Sequence, residues 1–408
     1  MNVFNIPDTS TPVLVLSGGI GALAIMRTLG KQGVAVYCAD RHWTPALSSK
    51  YCKKRFFRTY NPKTADEYLS FVIEMGVIIG TRCILIPTSD ALSEFVADYS
   101  DQLSEYFLFP KNDPELISGL SNKKRMYELV TKHGIPTAIT KFPKCESDIL
   151  KIESELKFPI MLKGIRGDTL QAKTGTKMLI VNTYDELIKH FRNLHDAEEP
   201  NLMLQEYIPG GDDEVYIFNG YFNETSECLS AFTGHKIRQF PVHTGCASLG
   251  ECRWNQDVAD LTIRSMQVFG YKGILDIGYR LDPRDGLYKV LDINPRVGQA
   301  FRLFTAENDM DVVRSLYLDL TNQPAPDIEP REGRRWLIED FDLIAAAYYF
   351  QERSLSFGDW IKSFRGVQET AWFNWHDPVP FAMMLASFIK RSIYWVFKSI
   401  GLMQKRHK

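Results

Sequence analysis

No Cys-x-x-Cys pair occurs among the seven cysteines of this 408-residue chain, which stand scattered at positions 38, 52, 83, 145, 228, 246 and 252. An odd, dispersed set excludes a disulfide framework and gives no sign of a thiolate zinc site, so a reducing compartment is expected. No His-Glu-x-x-His run and no nucleophilic triad pattern is apparent, which removes two common hydrolytic chemistries. Charge of one sign is lacking as well: 48 Lys and Arg face 50 Asp and Glu, a net charge of −2. No global field therefore draws the chain to nucleic acid, and any anion site must be local. The longest apolar stretch near the C-terminus is broken by Lys390, Arg391 and Lys398, which argues against a spanning helix. Residues 1–10 have neither a basic nor an apolar leader segment, so no signal peptide and a cytoplasmic place are expected.

What is present is an ordinary globular balance, 45% apolar and 24% charged, with length for two or three domains. Residues 1–115 alternate short apolar runs with helical stretches: strands at 13–16, 34–39, 83–86 and 107–109, helices at 22–31, 64–75 and 91–99. That spacing predicts a Rossmann-like α/β domain with a parallel sheet. The pattern then changes. Over 116–322, strands are expected at 160–163, 177–181, 202–205, 214–222, 228–233 and 273–279, with helices mainly at 122–132, 183–194 and 256–269. This reads as an α+β module with antiparallel pairing, divided near 205. Asn322-Gln323-Pro324-Ala325-Pro326-Asp327 reads as a linker, and 323–408 as a small aromatic-rich α+β region with a basic tail.

The densest chemistry lies at Gly273-Ile274-Leu275-Asp276-Ile277-Gly278 and Asp292-Ile293-Asn294-Pro295-Arg296, separated by the turn Asp282-Pro283-Arg284-Asp285-Gly286. A hairpin here puts Asp292 and Asn294 on one face and lets Asp276 join them. Two carboxylates and an amide oxygen suit Mg²⁺ when phosphates complete its shell, and Mn²⁺ as a substitute. Arg296 follows within reach of an anion. Upstream, Lys163 closes the apolar run 158–162, a costly place for an ammonium that meets no anion. The basic glycine-rich loop 164–176, with Arg166, Gly167 and Asp168, and then Lys177, suits a flap over phosphates, although an exposed hairpin loop explains it equally well. Gln205-Glu206-Tyr207-Ile208 leads into a Pro-Gly-Gly turn whose backbone can read an adenine edge. Glu214 is placed to accept from ribose hydroxyls, and Lys236 and Arg238 add cations. At the N-terminus, Gly19-x-Gly21-x-x-Ala24 with Asp40 fits a dinucleotide fingerprint weakly, which leaves an NAD-linked oxidoreductase open.

Together, Ser121-Asn122-Lys123, Lys163, 205–210, Thr233-Gly234-His235-Lys236-Ile237-Arg238, Asp276 and Asp292-Ile293-Asn294-Pro295-Arg296, in this order over residues 12–320, resemble the ATP-grasp superfamily. The likeness is to its carboxylate–amine ligase branch, which includes the D-aspartate ligases. It implies a pre-ATP-grasp domain, then an ATP-grasp module binding ATP and Mg²⁺ and forming a C–N bond through an acyl phosphate. Lys123 and Lys163 correspond to nucleotide lysines, Glu206 to Ile208 to the adenine hinge and Glu214 to the ribose acceptor. Asp276, Asp292 and Asn294 correspond to metal ligands, and Arg296 to the residue steadying the intermediate. Many members carry glutamate where Asp276 and Asp292 stand, and proline where Gly164 stands, so an ATP-binding scaffold without turnover also stays open. The implied partners are small carboxylates and amines, with a homodimer as a further option and no nucleic acid.

Near the C-terminus, Phe381, Met384, Leu385, Phe388, Trp395, Val396, Leu402 and Met403 follow helical spacing, opposite Lys390, Arg391, Lys398 and Lys405. Such an amphipathic helix either packs on the chain's own final region or lies on an anionic inner membrane surface.

Overall fold

The computed structural model describes residues 3–58, 64–165, 170, 173–176 and 178–399, with side chains through Ser392. Strands β1 (Val13–Leu16), β2 (Val36–Asp40), β3 (Cys52–Phe57), β4 (Cys83–Pro87) and β5 (Phe107–Leu108) form a parallel sheet in the order β3-β2-β1-β4-β5. The central strand β1 is buried along its whole length, as a parallel strand covered on both faces must be. The run Cys-Lys-Lys-Arg-Phe-Phe of β3 escapes sequence reading because three cations interrupt it. It survives at the sheet edge, where Lys53, Lys54 and Arg55 remain in water.

A second sheet is antiparallel. β6 (Thr140–Lys141), β7 (Ile160–Gly164), β8 (Met178–Val181) and β9 (Leu202–Glu206) run in the order β6-β9-β7-β8, packed against Leu187 and Phe191 of helix Tyr184–Leu194. The third and largest sheet comprises β10 (Val215–Phe222), β11 (Cys228–Phe240), β12 (Cys246–Cys252), β13 (Gly273–Asp282), β14 (Leu287–Asn294), β15 (Arg335–Leu337) and β16 (Val367–Thr370). Its order is β14-β13-β10-β11-β12-β15-β16, antiparallel except for the last pair. Period-two alternation gives it two apolar faces. Phe218, Leu275 and Ile277 pack with Val258 and Met266 of helix Gln256–Phe269, whereas Ile217, Tyr221 and Ile274 join Ile25 and Leu29 of helix Ile20–Gly30.

The break expected near residue 322 is not a break in packing. β15 pairs with β12, and β16 with β15, so the later chain widens the central sheet. Trp336, Trp372 and Met384 share one core with Ile25 of the first helix. The expected C-terminal helix spans Val379–Ser399, and its Phe381, Met384 and Phe388 cover that core. Leu385, assigned to the same stripe, is instead exposed. Trp395 and Val396 fall in the stretch whose side chains are not described, and Leu402, Met403 and Lys405 lie outside the described residues.

Buried ion pairs tie these layers together. Helix Ile20–Gly30 is buried from Ile20 to Leu29, so its two polar members need partners inside. Arg27 donates to the Asp377 carboxylate at 3.0 Å and to the Trp372 carbonyl at 2.7 Å, and the Thr28 hydroxyl donates to Asp311 at 2.7 Å. Asp311 also receives Arg302 at 2.6 Å, while Arg302 and Arg334 both reach Glu369 on β16, at 2.8 and 2.6 Å. Burial alone would push the Glu369 carboxyl up, but the two guanidiniums outweigh it and hold it at about 2 against an ordinary 4.5. A depressed carboxyl stabilises the fold above its unfolded pKa, and that contribution fades as pH falls from 4.5 towards 2. Glu369→Gln strands two buried guanidiniums, and removing one partner of such a network costs about 3–5 kcal/mol. Denaturant titrations from neutral pH down to about pH 2 should show the loss at neutral pH and a flatter acid limb in the variant; equal stability throughout would sink the account.

Candidate active site

The site grows from the β13–β14 hairpin, whose register places Asp276 opposite Asn294 and Gly278 opposite Asp292. Between Asp292 and Val290 the pairing slips by one residue, leaving Leu291 as a bulge. Without it, Asp292 and Val290 would share a face. With it, Val290 turns into the core beside Tyr279 and Asp292 stays with Asp276. The Asn294 amide donates to Asp292 Oδ2 at 3.0 Å and reaches Asp276 Oδ1 at 3.5 Å. Two glycines make room for the acids: a Cβ on Gly278 would collide with Asp292 Oδ1, and one on Gly298 with Asp276 Oδ2. Burial pushes Asp276 up to about 6, with Arg296 opposing and Asp292 adding to the effect. Among the described residues no three His, Cys, Asp or Glu side chains gather as a complete metal cage. Two carboxylates and an amide, one carboxylate driven towards protonation, still fit a hard cation that shares its shell with other oxygens.

Opposite charge stands close by. The Lys163 ammonium donates to Gln205 Oε1 at 2.6 Å. Burial lowers it to about 7, the Lys123 charge adds to the shift, and Asp292 opposes it. Lys123 opens helix Lys123–Lys132 behind the Asn122 cap, and Tyr127 of the same helix donates to the Leu291 carbonyl at 2.8 Å. Arg296 donates to Asn294 Oδ1 at 3.0 Å and to Asp90 at 2.7 Å, joining the hairpin exit to the start of helix Asp90–Asp98. Lys236 donates to the Gly245 carbonyl at 2.8 Å, and its charge reaches Asp276.

Arg238 is not part of this cluster. The pairing of β11 with β12 slips at Ile237, so Lys236 faces Gly250 while Arg238 faces Leu249. Neighbouring residues of β12 point to opposite faces, and the bulge therefore turns Arg238 away from Lys236. There it is buried, donating to both Asp342 oxygens at 2.8 and 3.0 Å and to Ser363 at 2.8 Å. Its charge is spent on structure.

The expected hinge links the four-stranded and seven-stranded sheets. The Glu206 carboxylate is paired with Arg284 at 2.6 Å, leaving its backbone rather than its side chain at the strand end. Ile208 is buried, Tyr207 half-buried, and Glu214 closes the one-turn helix Asp212–Glu214. Arg280, which sequence reading missed, donates to the Ile208 carbonyl at 3.1 Å and to that of Gly210. Asn219 was missed too. It faces Asp276 across β10–β13, buried, with its amide on the Leu275 carbonyl. A polar residue inside the apolar run Val-Tyr-Ile-Phe-Asn-Gly-Tyr-Phe was the available signal. Of the flap, Arg166, Gly167, Asp168 and Lys177 lie outside the described residues.

The N-terminal glycine turn gives no support to an NAD site. Asp40, the expected ribose acceptor, instead accepts from the Gly18 and Arg41 amides. Gly21 abuts the Gly298–Gln299 backbone, where a Cβ would lie 3.7 Å from the Gly298 carbonyl.

No family model matches the chain. It is 26% identical over 256 residues to the D-aspartate ligase of Enterococcus faecium, and the match spans 60% of each chain, so under two thirds of that ligase. The fold is similar to N5-carboxyaminoimidazole synthetase from Staphylococcus aureus, solved with ADP, at a TM-score of 0.62, 14% identity and coverage of 86% and 88%. It is also similar to L-amino acid ligase from Bacillus licheniformis, at a TM-score of 0.58, 12% identity and coverage of 79% and 78%. With two acids and an amide on one hairpin and a buried lysine nearby, the chain is similar in sequence to a D-aspartate ligase and shares the fold of these two solved enzymes.

Proposed function

We propose that this chain is an ATP- and Mg²⁺-dependent ligase that joins a carboxylate to an amine. The observation that carries the reading is the β13–β14 register, which brings Asp276, Asp292 and Asn294 onto one face. There burial pushes Asp276 up to about 6, while burial lowers Lys163, which the Asp292 charge reaches, to about 7. Each is a charge awaiting the opposite sign, and a metal–phosphate ligand supplies both. Asp276, Asp292 and Asn294 would hold the cation, Mg²⁺ or Mn²⁺, and a bound cation neutralises phosphate oxygens during phosphoryl transfer. Lys123 and Lys163 take the phosphates. The 205–208 hinge takes adenine, with Gln205 holding Lys163 in place, and Glu214 takes the ribose.

In this reading a substrate carboxylate oxygen attacks the γ-phosphorus and ADP leaves. An amine then attacks the acyl carbon, and phosphate departs. No protein nucleophile is required, because positioning and fixed charge carry the rate. Arg296, tied to Asn294, steadies the charge that develops on the acyl group, and Lys236 assists from β11. The D-aspartate ligase likeness makes amino acids and envelope precursors the first substrates to screen.

Asp276→Asn or Asp292→Asn should lower ADP release by about a hundredfold or more while thermal stability stays near wild type, since each removes a charged ligand. Near-normal turnover in either variant would overturn the reading, and ATP binding without ADP release from the unmodified chain over a broad substrate panel would mark a scaffold instead. Stabilisation should come from ATP with Mg²⁺ and not from NAD.

A second expectation concerns protons. Phosphate favours the charged form of Lys163, so its pKa rises from about 7 when nucleotide binds. At about pH 8 the free site is mostly neutral, and binding must draw in close to one proton. Calorimetry of ATP binding without metal, in buffers of different ionisation enthalpy, should report that uptake in the unmodified chain and its loss in Lys163→Met.

A further inference from the structure

We propose that the end of the molecule built from the C-terminal helix and the 41–58 segment docks on an anionic lipid surface. This does not depend on the ligase reading. Helix Val379–Ser399 carries two apolar rows rather than one. The inner row, Phe381, Met384 and Phe388, covers the chain's own core. The outer face, bounded by the i,i+4 pairs Val379/Met383 and Leu385/Ile389, is apolar too, and these residues are 50, 37, 43 and 48% exposed. The same period recurs in the sequence at Ile393, Val396 and Phe397. Trp375, just ahead of the helix, is 84% exposed. A helix apolar on both sides belongs between two apolar partners, and among the described residues this one has a single partner.

Charge identifies the second. From Pro378 to Lys408 there are six Lys and Arg and no acid, and from Arg41 to Arg58 again six and none. The whole chain is −2, so everything else carries −14. The described part of the first stretch lies beside the second: the helix packs on the turn Pro45–Ser48, and buried Asp377 accepts from the Ser49 hydroxyl at 2.7 Å and the Lys50 amide at 3.0 Å. Lys50, Lys53, Lys54, Lys390 and Arg391 are all exposed. An apolar row flanked by cations suits a bilayer interface, where aliphatic and indole side chains enter the acyl boundary and Lys and Arg meet headgroup phosphates. Nucleic acid would leave the Met383–Ile389 row in water, and a second copy would bring like charges together. No described helix is long and apolar enough to cross a membrane.

Full-length protein should pellet at low salt with phosphatidylcholine vesicles containing about 30% phosphatidylglycerol, but not with pure phosphatidylcholine. Binding should fall about tenfold or more in roughly 0.5 M salt. It should fall by a similar factor in a Met383→Glu, Ile389→Glu variant, whose exposed substitutions leave the melting temperature unchanged. Emission should shift to the blue on binding, and less so in Trp375→Phe. Absence of pelleting with anionic vesicles at low salt would overturn the proposal, as would wild-type binding by the double variant. A concentration-dependent dimer abolished by the same variant, without vesicle binding, would assign the row to a second copy instead.

Discussion

The arrangement of the molecule depends on a buried set of guanidiniums and carboxylates that can be satisfied only together. Arg302, Arg314 and Arg334 share Asp309, Asp311 and Glu369, and Thr28 of the first helix is held by both Asp311 and Arg314. These residues come from the first helix, the segment after β14, helix Val312–Leu320, the turn just before β15 and the late strand β16. A buried ion left alone is far costlier than one paired, so none of the five segments can leave without stranding polar groups in the others. The result is a rigid seat for the hairpin exit, Pro295 to Gln299, which bears Arg296 and passes Gly298 against Asp276.

Two bulges then decide which charges meet. Leu291 keeps Asp292 on the face of Asp276 while sending Val290 to the core, and Ile237 separates Lys236 from Arg238. An extra residue costs one pairing position and reverses the alternation beyond it. On the site face the outcome is a concentration of groups whose pKa values move in opposite directions. Asp276 has lost water and gained a like charge, and Lys163 has done the same with the other sign. Structural pairs such as Arg238 with Asp342 are already satisfied, and that contrast separates the candidate site from the buried scaffold.

Local pattern was enough for much of the architecture. Alternating apolar runs and helices imply the parallel sheet of the first 115 residues, and the turn Asp282 to Gly286 between two apolar strands implies the hairpin that brings Asp276, Asp292 and Asn294 together. Lys163 at the end of an apolar strand is legible for the same reason: one short segment contains both the burial and the charge. β3 was lost because edge strands tolerate cations that mask the pattern, and β12 because Cys-Ala-Ser-Leu-Gly-Glu-Cys carries little alternation.

By itself, then, the sequence determined most element types, the hairpin that gathers Asp276, Asp292 and Asn294, and the strand-end lysine, all of which follow from spacing within a few residues. Tertiary structure alone decided that Arg238 is structural, that Arg280 braces the hinge and that Asn219 stands beside Asp276. It also decided that Asp90 meets Arg296, and that the last strands complete the central sheet rather than a separate unit. The reason is physical. Side-chain period is a local property of the backbone, whereas a bulge or a buried ion pair is settled by residues tens to hundreds of positions away, which no window on the chain contains.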